Sequence, residues 1–157
     1  MRKMLSRIVP VMALACLAAL GADNTIGTWK ANIAKSKYTP APIPLKSYTM
    51  VREAVPGGVK VTITGERTDG TQINATYTAK FDGSATPVGG SGALYDTMAI
   101  KQVDANTITY EAKNSKTKYH GTGRITVSSD GKTMTSDVKG TNPEGQPMTL
   151  TLVYEKQ

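Results

Sequence analysis

From Lys46 onward the chain alternates between apolar side chains and threonine or charge, and a period of two restricts it to β-structure. Val59, Val61 and Ile63 share one face against Lys60, Thr62 and Thr64. Ile73, Ala75, Tyr77, Ala79 and Phe81 do the same against Gln72, Asn74, Thr76, Thr78 and Lys80, the pattern of strands with one face in a core. It recurs at Ile108 and Tyr110, at Tyr119, Ile125 and Val127, at Met134 and Val138, and at Met148, Leu150, Leu152 and Tyr154. No window carries the 3.6-residue period of a long helix.

Turn chemistry separates these runs at short intervals. Pro56-Gly57-Gly58, Asp69-Gly70, Asp82-Gly83, Asp104-Ala105-Asn106, Asn114-Ser115-Lys116, Asp130-Gly131 and Asn142-Pro143-Glu144-Gly145 supply residues that tolerate positive φ or bond back to their own backbone. About ten antiparallel strands are expected. An up-and-down meander of that length curls shut or splits into two layers, and Gly65, Ala75, Ala79, Gly121 and Gly123 inside strands favour the corners that closure needs. Between Ile33 and Lys46, Pro40, Pro42 and Pro44 predict an extended loop without a helix.

The first residues read as a leader. Arg2, Lys3 and Arg7 precede an apolar run from Ile8 to Leu20, and Ala19-Leu20-Gly21-Ala22 offers small residues for a signal peptidase. The run has about 13 residues, short of the 18 to 20 or so of a membrane span. A signal peptide over 1–22 and one mature domain over 23–157 are therefore expected, in the periplasm or outside the cell, with no integral membrane segment after cleavage. Lipoprotein processing at Cys16 is a poorer match, since Ala13 stands where leucine is usual.

Without the leader no cysteine remains, which removes disulfides, thiolate nucleophiles and Cys-ligated zinc. The formal charge of +7 falls to about +4, spread along the chain without a run of one sign. Nucleic acid is not an expected partner. About 135 residues make one domain with one core, expected to work as a monomer.

The inward parity of the strands gives a candidate binding face: Tyr48, Met50, Arg52, Ile63, Tyr77, Phe81, Tyr110 and Tyr154. Apolar walls with a few phenolic hydroxyls suit a small hydrophobic molecule. Arg52 has the parity of Tyr48 and Met50, so it either anchors an anion or ends its strand in solvent. Chemistry that would make an enzyme is missing. His120 is the single histidine and alternates with Lys118, Thr122 and Arg124 on the polar face, while the carboxylates are scattered. No catalytic residue, metal site or cofactor motif is expected.

The two ends of the chain carry a resemblance. Gly27-Thr28-Trp29-Lys30 resembles the Gly-x-Trp opening of the lipocalin and fatty-acid-binding-protein (calycin) superfamily, and Thr151-Leu152-Val153-Tyr154-Glu155-Lys156 resembles the closing strand of its fatty-acid-binding branch. Tyr95-Asp96 is similar to a mid-chain segment of small secreted bacterial lipocalin-like proteins. The resemblance implies a calycin-like barrel with Trp29 as a structural plug beside a cation, Arg124 or Lys156. It also implies an Arg-x-Tyr carboxylate clamp on the last strand, but Leu152 occupies the arginine position and the proline-rich segment replaces the family's helical lid. A filled-core barrel or sandwich acting as an envelope interaction or structural protein stays open beside the binding reading.

Overall fold

The computed structural model describes residues 22–157; Cys16 and all of the expected leader except Ala22 lie outside the described residues. The chain forms β1 (Gly27–Ala31), a 3-10 turn (Ile33–Lys35), β2 (Lys37–Thr39), β3 (Leu45–Val55), β4 (Gly58–Arg67), β5 (Gln72–Lys80), β6 (Asp82–Pro87) and β7 (Gly89–Ser91). It continues as β8 (Thr97–Asp104), β9 (Thr107–Lys113), β10 (His120–Val127), β11 (Thr133–Thr141) and β12 (Pro147–Lys156). Every pairing is antiparallel, in the order β6-β8-β9-β10-β11-β12-β1-β3-β4-β5-β7. The result is an all-β, nearly closed barrel. It has twelve strands rather than about ten, because β2 and β7 are three-residue pieces with too few side chains to show a period.

The two ends of the chain meet in this barrel. β12 pairs with β1 through Trp29 opposite Lys156 and Ala31 opposite Tyr154, and β2 adds to the same strand through Tyr38 opposite Leu150. The 3-10 turn corrects the expectation of a helix-free loop after Ile33. Asn32 caps it by accepting the Lys35 amide at 3.2 Å, a short-range side-chain bond of the kind that starts helical turns. On the far side, β5 and β6 share a seam where the Thr86 hydroxyl donates to the Thr78 carbonyl at 2.9 Å in place of a ladder.

Six turns are built alike. Asp69, Asp82, Asp104, Asn114, Asp130 and Asn142 each accept the amide two residues on, at 2.8 to 3.2 Å. Such Asx turns let a polar side chain replace a backbone turn bond, which is why these short motifs were readable in the sequence. The Thr71 amide holds the Asp69 carboxyl below its ordinary pKa, and bonds from Ser84 and Ser128 do the same for Asp82 and Asp130.

Alternation places the core. Along β5 every second residue is buried, and Val59, Val61, Ile63, Ile108 and Met134 are fully enclosed. Each such side chain stabilises the fold by about 1.5–3 kcal/mol. One end of the barrel is tied shut by bonds from Asn24 to Ala105, Phe81 to Gly57, Val127 to Asn106 and Lys156 to Lys132.

Candidate functional site: a tyrosine-lined lumen

Trp29 closes the tied end. It is 0% exposed, its indole Nε1 donates to the Thr25 carbonyl at 2.9 Å, and the Lys156 ammonium stands 5.3 Å from its ring centroid. That distance is within cation–π range. Arg124, the other cation considered for this place, is exposed on the outer face of β10.

Above Trp29 lies an enclosed lumen of about 110 Å³. All seven tyrosines of the chain line it: Tyr38, Tyr48, Tyr77, Tyr95, Tyr110, Tyr119 and Tyr154. They arrive from different elements, β2, β3, β5, β9 and β12 together with the segments before β8 and β10. Tyr48 and Tyr154 meet at a tilt with centroids 6.3 Å apart, and Tyr95 and Tyr119 stack at 6.2 Å, both normal spacings for aromatic pairs. The Tyr110 hydroxyl shares a 2.8 Å bond with Ser136, and those of Tyr48 and Tyr95 lie 3.4 Å apart near the mouth. Gly123 makes room for one wall, since a methyl group there would run into the Tyr110 ring.

Burial decides the electrostatics. Loss of solvent pushes the phenols of Tyr48, Tyr95 and Tyr154 well above their ordinary range, with neighbouring tyrosines adding to the effect. Tyr119 is pushed up to about 12 by burial. Tyr77 and Tyr110 move up for the same reason, against smaller downward pulls from Arg52 on the first and from the Ser136 bond on the second. These six hydroxyls are neutral at pH 7, where each can donate or accept a hydrogen bond.

Arg52 brings a charge into this setting. It is 1% exposed, so the solvent alternative for its position is corrected. It alternates inward on β3 with Met50, opposite Gly27 on β1. Its Nε donates to the Thr25 hydroxyl at 3.0 Å, one terminal nitrogen is 3.7 Å from the Met50 sulfur, and the other has no partner. The Thr25 hydroxyl in turn donates to Asp23 at 2.6 Å. At the mouth Arg67 donates to the Gly92 carbonyl, holding the segment before β8 across the opening.

Of the residues expected from inward parity, Tyr48, Met50, Arg52, Tyr77, Tyr110 and Tyr154 line the lumen, and Ile63 and Phe81 do not. Ile63 is spent on the packed wall between Met50 and Ala75. Phe81 falls between β5 and β6, where the chain turns and the alternation that placed it inward has ended. Sequence reasoning missed Tyr38, Tyr95, Tyr119, Met98, Ile100 and Ser136 as lining residues. Leu152 also lines the lumen, so the last strand presents hydrocarbon where the family resemblance implied a carboxylate clamp.

Two other features are weaker sites. A wider concavity of about 660 Å³ runs over Lys101, Glu111, Thr122, Arg124, Lys139 and Thr149 on the outer face, but it has no walls that exclude water. His120 lies half-exposed, 3.5 Å from Glu111, which also pairs with Lys113 at 2.6 Å. Among the described residues no helix is long and apolar enough to cross a membrane.

The fold and lumen together define a calycin-like antiparallel β-barrel. A solved structure of the same shape, EF1p2_mFAP2b bound to DFHBI, aligns with a TM-score of 0.51 at 12% identity over 85% of this chain and 94% of that one. At such identity the likeness is one of fold. No protein-family model and no curated protein matches the sequence.

Proposed function

We propose that this protein is a non-enzymatic, monomeric binding protein of the periplasm or extracellular space that holds a compact hydrophobic molecule in its lumen. The observation that carries the reading is the convergence of all seven tyrosines on one enclosed space. A barrel that only fills itself has no use for so many hydroxyls, each of which is costly to bury without a partner. The similar barrel that holds DFHBI supports the same use of the fold, and the leader pattern supports export.

Size sets the class of molecule. An apolar cavity of about 150 Å³ takes up benzene, and drug-sized ligands occupy roughly 300–1,000 Å³. At about 110 Å³ the lumen suits a body of one ring, taken up with slight movement of the mouth tyrosines, and does not suit an extended acyl chain. The same small volume favours the alternative, a filled barrel working through its outer surface. Native mass spectrometry of protein isolated from periplasm or medium separates the two. A chain shortened by the leader and carrying a reproducible small mass, released by organic solvent, is expected. Full-length chain confined to the cytoplasm would contradict export. Repeated absence of a bound mass, with no thermal shift from one-ring aromatics, would establish the filled-barrel reading instead.

A further inference from the structure

The lumen floor contains a guanidinium with no carboxylate in direct contact, and Asp23 next to it keeps one buried oxygen without a partner. A guanidinium keeps its proton at physiological pH, and buried charges are normally paired. Among the described residues, no carboxylate lies within 4.0 Å of Arg52. Asp23 is reached only through Thr25, on which its Oδ1 accepts from both the amide and the hydroxyl. Arg52 touches the plug through Thr25, whose carbonyl accepts from the Trp29 indole, while the cation over the ring is Lys156. What remains is one terminal nitrogen without a hydrogen-bond partner and another 3.7 Å from a thioether, with the Tyr77 hydroxyl beside the guanidinium.

The surroundings fit one kind of occupant. Tyr77 and Tyr154 both feel the field of Arg52, and as neutral phenols they can donate to an anion beside it. The rest of the lining is mostly rings and aliphatic carbon, with Met50, Tyr48, Tyr110, Ile100 and Leu152 around the free space, the Ser136 hydroxyl bonded to Tyr110, and Arg67 held by the Gly92 carbonyl at the mouth. An apolar body with one anionic end satisfies the guanidinium fork and the walls together, through charge-assisted bonds at one end and dispersion contacts elsewhere.

We infer that the lumen is a site for a compact aromatic monoanion, a carboxylate of about benzoate size, with its charged end on Arg52. This rests on the proposed binding function and names the ligand class for the same site. A free inorganic anion such as chloride has the same charge, and the experiment tells the two apart.

Titration calorimetry with sodium benzoate and with benzyl alcohol, nearly the same in size but neutral, tests it. Wild-type protein is expected to bind benzoate at least tenfold more tightly than benzyl alcohol. Arg52→Met is expected to abolish that preference, so that benzoate and benzyl alcohol bind the variant within about twofold of each other. Should that variant not fold, as a melting scan would show, Arg52→Lys keeps the charge without the fork, and about a tenfold loss of benzoate affinity is expected. Equal binding of both compounds by wild-type protein, or a benzoate preference that survives Arg52→Met, overturns the anion site while the binding function stands. Failure of both compounds to bind counts against the function itself. Chloride that stabilises wild-type protein but not Arg52→Met, without any benzoate binding, assigns Arg52 to an inorganic ion and overturns the aromatic class.

Discussion

Replacing Trp29 with alanine is expected to cost about 3–5 kcal/mol of unfolding free energy, the range for a large ring removed from a packed interior. Several contacts are lost at once. The ring is fully buried, it carries the cation–π contact of Lys156, and its indole N–H holds the Thr25 carbonyl. Its strand joins the two ends of the chain, with Met50 opposite on β3 and Lys156 opposite on β12. Urea unfolding is expected to show a lower midpoint at an unchanged slope. Trp29→Phe keeps most of the packing and forfeits the indole bond, so a smaller loss is expected, with about 1 kcal/mol from the bond itself. A loss below about 1 kcal/mol for the alanine variant would show that the tied end does not depend on this ring.

High pH is expected to unfold the protein through its lumen. Tyr48, Tyr77, Tyr95, Tyr110, Tyr119 and Tyr154 all have folded-state pKa values above the ordinary 10.0, with burial as the largest cause. A phenol ionises at about 10 in the unfolded chain, so below that pH both states keep the proton and stability is whole. As pH rises from about 10 toward the folded-state values, the unfolded chain releases protons that the folded one retains, and stability falls. With six such groups the loss is cumulative. Absorbance of tyrosinate near 295 nm should lag behind that of free tyrosine and then rise together with the loss of β-sheet circular dichroism. A gradual rise near pH 10 with the sheet signal intact would mean that the phenols meet solvent in the native state.

What could be read from the sequence was what repeats over short distances. Val59 to Ile63 and Ile73 to Ala79 disclose their buried face because a strand reverses direction at every residue, and Asp69-Gly70 or Asp130-Gly131 disclose a turn because the side chain bonds within its own loop. Phe81 was misplaced where that rule stops, one residue beyond β5. Tyr38 and Tyr95 stood outside any long alternating run, in a three-residue strand and an irregular segment, and Tyr119, which shares the parity of Ile125 and Val127, lies one residue before β10; only the closed barrel brings them to the other tyrosines. Arg52 had readable parity. Its burial without a counter-charge was not readable, because it depends on which carboxylates the whole fold brings near. The outcome at Leu152 was visible in the sequence, and the structure adds that the polar group of the lumen floor comes from β3 instead of the last strand.

The central claim is that the tyrosine-lined lumen is a space for a ligand. Titrating uniformly labelled protein with toluene and following tyrosine ring and outer-face resonances by NMR tests it directly, without need of the natural ligand. Saturable shifts of Tyr77 and Tyr154, which line the lumen and not the outer concavity, are expected, with Thr122 and Lys139 of the outer face unmoved. Unchanged ring resonances up to the solubility of toluene, or saturable shifts confined to the outer face, would contradict it.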